Sequence, residues 1–212
     1  MTLDVASYLG AVMRTVSALE VDGKPARAVT LGRTFDTAIG DLWDALTNAE
    51  RIPRWFMPIT GELKLGGRYQ LEGNAGGVIS DCEPPSRFAL TWEFGEAISW
   101  VEVLLSSDGA NRTRLKLTHT AHLSDHWTQY GPGAVGVGWE LGLLGLDLHI
   151  VKPEEPKLDE EVFSMSPEGK ALGIGSAEGW GQAAIAAGED SEAALAAVKR
   201  TAAFYTGTPE AT

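Results

Sequence analysis

Three consecutive stretches, "FALTWEF" from Phe88, "ISWVEVLLS" from Ile98 and "RTRLKLTHTAH" from Arg112, alternate apolar and polar residues with a period of two. That period belongs to β-strands, whose side chains point to opposite faces in turn. Phe88, Leu90, Trp92 and Phe94 share one face of the first strand, and Val101, Val103 and Leu105 one face of the second, leaving Trp100 and Glu102 opposite. Thr113, Leu115, Leu117 and His119 line a face of the third, with Arg112, Arg114 and Lys116 turned to water. A sheet with one apolar wall has to be covered. The chain must therefore supply a layer for it.

The next long stretch, "GPGAVGVGWELGLLGLDLHI" (131–150), is the candidate for that layer. It contains a G-x-G-x-x-G at Gly131, Gly133 and Gly136, but no βαβ unit surrounds it and Pro132 sits inside it, so a dinucleotide loop is excluded by context. Glu140 and Asp147 argue against a membrane span in a run barely long enough to cross. At about 100° per residue it reads as a helix. Glu140 and Asp147 then form one narrow polar edge, and Gly138, Gly142 and Gly145 run roughly opposite, flanked by Val135, Trp139 and Leu146. Val137, Leu141, Leu144 and Leu148 make a third side, so the helix is expected to be sandwiched between the sheet and the tail. Interior glycines cost about 0.5–1 kcal/mol each against alanine. Either close backbone packing or space left for a ligand can justify them.

The first twenty residues have the spacing of an amphipathic helix (Val5, Leu9, Val12, Val16, Leu19) and lack the pattern of a signal peptide. After the turn "DGKP", "ARAVTLGRTF" reads as a strand. "DTAIGDLWDALTN" reads as a helix with Asp36 or Thr37 as N-cap, and "AERIPRWFMP" as a second, short helix. About six antiparallel strands follow up to residue 122, joined by short turns. "KPEEPKLDEE" is a linker, and the tail offers helix starts at Ser166 and Ser191 with stops at Gly207 and Pro209. The expected layout is an N-terminal helix (1–25), a main domain (26–152), and a linker with a helical extension packed on that domain (153–212).

Strand, helix pair, antiparallel run and long helix, in that order, resemble the START/Bet v 1-like helix-grip fold. This is an α+β class in which a curved antiparallel sheet wraps a long C-terminal helix. The segments "FDTAIGDLWDALTNAERIPRWF", "GELKLGGRYQLEG", "GGVISDCEPPSRFALTWEFG" and "TRLKLTHTAH" resemble more closely the branch of the SRPBCC superfamily named for activators of heat-shock-protein-90 ATPase. The similarity runs over about residues 26 to 150. It implies a cavity between sheet and long helix that holds an apolar small molecule and in some members hosts chemistry.

With that resemblance, Trp55, Tyr69, Trp92, His119 and Trp139, with Gly138 and Gly142, are the expected ligand-binding residues. His119 stands out because an imidazole on an apolar face needs a partner or a ligand. His122 and His126 would be i, i+4 metal ligands only if their loop were helical, and no metal is expected. No nucleophile–base set stands out, so no catalytic residue is assigned and no cofactor is expected. The leading reading is a domain that binds a hydrophobic or aromatic small molecule. The alternatives are an enzyme of polyketide cyclase or hydrolase type in the same cavity, and a chaperone-linked interaction protein with a closed one. A net charge of −12 and the absence of a basic run speak against nucleic acid and anionic membranes as partners. The single cysteine fits a reducing, cytoplasmic setting, and a homodimer is left open.

Overall fold

The computed structural model describes residues 3–208. Its elements are α1 (Val5–Gly10), β1 (Met13–Val21), β2 (Lys24–Phe35), α2 (Ile39–Thr47), a 3-10 turn (Ile52–Arg54), β3 (Ile59–Gly61), β4 (Arg68–Leu71), β5 (Gly76–Glu83), β6 (Arg87–Phe94), β7 (Ala97–Ser107) and β8 (Thr113–His122). Helices complete the chain: α3 (Asp125–Tyr130), α4 (Gly133–Val151), α5 (Glu160–Met165), α6 (Pro167–Ala186) and α7 (Ser191–Thr206). The strands form one eight-stranded antiparallel sheet in the order β1-β2-β8-β7-β6-β5-β4-β3. This is the helix-grip α+β class expected from the sequence. The six strands after the helical pair are β3 to β8.

The N-terminal segment departs from its expected form. Only Val5–Gly10 is helical, and residues 13–21 are a strand. The cause is the Asp22-Gly23 turn, with φ of 49° and 71°, a two-residue hairpin turn whose twist suits flanking strands. It folds Met13–Val21 back beside β2, and ladder pairing outweighs the helical spacing of Val12 and Val16. At α2 neither expected cap applies. Ala38 is the N-cap, and the Thr37 hydroxyl instead donates to Asp41 at 2.6 Å. In the tail, Ser166 caps α6 as expected, Asp190 rather than Ser191 caps α7, and Gly207 ends α7 in the left-handed region. Pro209 lies outside the described residues.

The chain separates into two compact units, and both β2 and α4 contribute residues to each. Among the described residues, the first gathers those up to Leu31, His122–Leu141 and those from Asp159 on. Here α6 lies against α1, β1, α5 and α7, with Leu172, Ala177, Trp180 and Ala184 on its buried face. Gly136 is explained by this packing, because a Cβ there would fall 2.1 Å from Trp180 Cε2. Glu140 corrects the expected polar edge. It is 0% exposed, and Arg14 grips its carboxylate through two bonds of 2.7 Å. The Tyr8 hydroxyl donates to the Glu140 carbonyl at 2.8 Å. At 19 residues α4 is long and apolar enough to pass as a membrane span, but a buried carboxylate held by arginine and a glycine seated on tryptophan are contacts of a protein core.

The second unit comprises Gly32–Ala121 and Gly142–Leu158. Its core is the apolar wall read from the strands: Val101, Val103, Leu105, Leu115 and Leu117 are all buried. α2 packs on β7, burying Leu42 and Ala45, and Trp43 meets Phe88 edge-on at 5.9 Å. Asp147, the second residue of the expected polar edge, pairs with Arg33 at 2.9 Å. At Gly145 a Cβ would lie 2.5 Å from the Trp55 carbonyl oxygen, a backbone approach that only glycine permits.

Candidate functional site on the buried face of β6 to β8

Register fixes which side chains meet. Phe88 pairs with Val103, Leu90 with Val101 and Trp92 with Ser99 across β6 and β7. Val101 then pairs with His119, and Val103 with Leu117, across β7 and β8. The burial of the two sides differs. β7 alternates buried and half-buried residues, whereas β6 is half-buried at every position from Arg87 to Glu93. Phe88, Leu90 and Trp92 therefore keep part of their surface open, although their partners Val103 and Val101 are covered. Phe94 shares their parity but lies 60% exposed at the hairpin tip.

One polar cluster interrupts this wall. His119, 7% exposed, places Nε2 2.8 Å from Ser99 Oγ. Ser99 Oγ in turn donates to the Trp92 carbonyl at 3.1 Å, and the Trp92 and His119 rings lie 6.1 Å apart. A carbonyl only accepts, so the single hydroxyl proton of Ser99 is spent on it. The short contact to His119 is then an Nε2–H donating to Ser99. Burial pushes the His119 pKa down to about 4, which keeps the imidazole neutral near pH 7. In this arrangement His119 is not a base for Ser99, because the serine proton points elsewhere. The Ser99 hydroxyl is therefore not set up as an activated nucleophile.

The other expected residues are placed as follows. Trp55 is buried, donates its indole N–H to the Ala45 carbonyl at 2.9 Å and stacks on Phe56 with ring centroids 5.2 Å apart. Gly142 faces Phe56, whose ring edge would stand 3.3 Å from a Cβ there. Tyr69 is buried opposite Gly77, and its hydroxyl reaches past that glycine to the Thr91 carbonyl at 2.8 Å. Gly138 and Trp139 belong to the first unit, where a Cβ at Gly138 would lie 3.2 Å from the Tyr205 hydroxyl. Trp92 and His119 are thus brought together, while Trp55, Tyr69 and Gly142 make contacts of their own. His122 ends β8 and α3 begins only at Asp125, so His122 and His126 do not share a helix.

Two wall residues were missed. Ser99 was legible from the hairpin "FGEA", whose two-residue turn sets Trp92 opposite Ser99. Cys82 was not, because a bulge between Ile79 and Asp81 shifts the register and sets Cys82 opposite Phe88. Near α2 a second cluster joins Arg51 to His149 (Nε donating to Nε2 at 3.0 Å) and to Asp41 and Asp44. Burial, then the Arg51 and Arg54 charges, lowers the His149 pKa.

The family described as "Activator of Hsp90 ATPase homolog 1-like protein" matches residues 36–147, just over half of the chain. This chain belongs to that family. CalU16 from Micromonospora echinospora is 33% identical in its crystal structure, covering 68% of this chain and 88% of that one with a TM-score of 0.58. Its solution structure covers 84% and 97% at 27% identity and a TM-score of 0.69. PFC0360w, an Hsp90 activator from Plasmodium falciparum, is 23% identical over 58% of this chain and 94% of that one, with a TM-score of 0.50. The Aha1 protein of Colwellia psychrerythraea, solved as a dimer, is 13% identical over 60% and 98%, also at 0.50. The last two show the fold alone. No curated protein matches this chain significantly.

Proposed function

We propose that this protein binds a hydrophobic or aromatic small molecule against the β6 side of the apolar wall. The observation that carries this reading is the open surface on Phe88, Leu90 and Trp92 beside the buried Val101, Val103 and Leu105 of β7. Leaving three large apolar side chains half-wetted forgoes about 25 cal/mol for each Å² that a ligand would cover. Trp92 offers a ring to stack on, and Ser99 with His119 supplies a polar point in a low-dielectric setting. Trp55, Tyr69 and Gly142 then act as the frame that holds the wall, each fixed by contacts of its own.

The test is a titration with naphthalene, read by quenching of tryptophan fluorescence, alongside native mass spectrometry of the protein as purified. Saturable quenching is expected, and Leu90→Glu, which sets a charge in the wall, is expected to abolish it. Blocking of Cys82 from a thiol reagent by the same compound would place the ligand beside Phe88. Absence of saturable quenching in the folded wild type overturns the reading. It would leave the chaperone-linked interaction protein as the better account, consistent with the name of the family.

A further inference from the structure

We propose that the Ser99–His119 pair makes the site selective for a neutral ligand that donates a hydrogen bond, a phenol or other hydroxylated aromatic. This rests on the aromatic-binding reading above and adds to it the chemical class of the ligand. The argument is a count of protons and lone pairs. Ser99 Oγ carries one proton, given to the Trp92 carbonyl at 3.1 Å, and two lone pairs. One lone pair takes the N–H of His119 at 2.8 Å. The second has no partner among the described residues, and the oxygen sits beside the half-open Trp92 ring. Ser99 can therefore offer a ligand nothing but an acceptor. His119 strengthens that acceptor by fixing the hydroxyl and is itself too covered, at 7% exposed, to be the first group a ligand meets.

The surroundings sharpen the choice. The positions that share this face carry Phe88, Leu90 and Trp92 on β6, Val101, Val103 and Leu105 on β7, and Thr113, Leu115 and Leu117 on β8. None is a lysine or arginine, so a carboxylate or phosphate bound there would lose its hydration without a counter-charge. A ketone or ether would set its oxygen against that of Ser99, acceptor against acceptor. A hydroxyl on a flat apolar ring satisfies both the wall and the lone pair.

Three compounds of one ring system test this: 2-naphthol, naphthalene and 2-naphthoate, titrated near pH 7 with tryptophan quenching as readout. The wild type is expected to bind 2-naphthol about two- to tenfold more tightly than naphthalene, the range of one neutral hydrogen bond. Naphthoate is expected to bind more weakly than either. Ser99→Ala should bring 2-naphthol and naphthalene to equal affinity, while Ser99→Thr, which keeps the oxygen on a strand-compatible residue, should retain the preference. The ratio is taken within each variant, so a general loss of stability does not imitate the effect. Equal affinities in the wild type, or a preference that survives Ser99→Ala, overturn this proposal and leave the aromatic site standing. Failure of all three compounds to bind overturns both.

Discussion

His119 and Arg14 show at single-residue scale what each buried polar group costs. His119 is neutral in the folded protein because its pKa falls from 6.5 to about 4 on burial. A depressed folded pKa means that the unfolded chain takes up the proton first. Stability is therefore complete above pH 6.5 and is lost as pH drops from there towards 4. The loss across that window is on the order of 3 kcal/mol. Urea midpoints for wild type and His119→Gln at pH 7.5 and 4.5 check this: the variant should be the less acid-sensitive of the two. Arg14 is the opposite case, a cation kept to satisfy the fully covered Glu140. Arg14→Ala would strand that carboxylate and is expected to cost about 3–5 kcal/mol in chemical denaturation. Replacing both partners with apolar residues of similar volume should recover most of the loss.

At the scale of elements, α4 is where glycine decides the packing. A Cβ at Gly145 meets backbone, 2.5 Å from the Trp55 carbonyl, and at Gly142 it meets only the edge of a movable ring at 3.3 Å. Gly145→Ala is accordingly expected to lower stability by about 1–3 kcal/mol despite its gain in helix propensity, whereas Gly142→Ala should be neutral or stabilising. Thermal melts of the two variants separate these outcomes. The same helix shows how far sequence reading extends. That this stretch is a helix, and which strand residues share a face, follow from periodicity alone, because period is a local property. The fate of Glu140 does not, since its partner Arg14 lies 126 residues away and looked like part of an amphipathic helix. That misreading arose at Asp22-Gly23, where a hairpin turn overrides a weak helical spacing. In the site, Trp92 and His119 were legible by parity, and Ser99 would have been from the turn length. Cys82 was hidden by a bulge that alternation cannot reveal.

For the molecule as a whole, the net charge of −12 sets what it meets. No binding to duplex DNA is expected at physiological salt, and a salt-dependent anisotropy titration would expose an error in that view. Integrity depends on the tail as well. α6 covers α1 and β1 and seats Trp180 on Gly136, so truncation after Leu158 bares a connected apolar surface of the first unit. The truncated protein is expected to self-associate and to melt lower, as light scattering and calorimetry would register.

That first unit draws on the start, the middle and the end of the chain, which has a bearing on how the protein is made. A ribosome releases α1 and β1 early, yet the helix that shelters them is encoded some 150 positions later. At about 5–20 residues per second α1 and β1 wait roughly eight to thirty seconds with that face uncovered. The second unit, made of Gly32–Ala121 and Gly142–Leu158, can be complete before α6 emerges. Translation speed over residues 159–186 and the supply of chaperones at the exit tunnel thus become determinants of yield, and a premature stop in the tail is a lesion of the N-terminus.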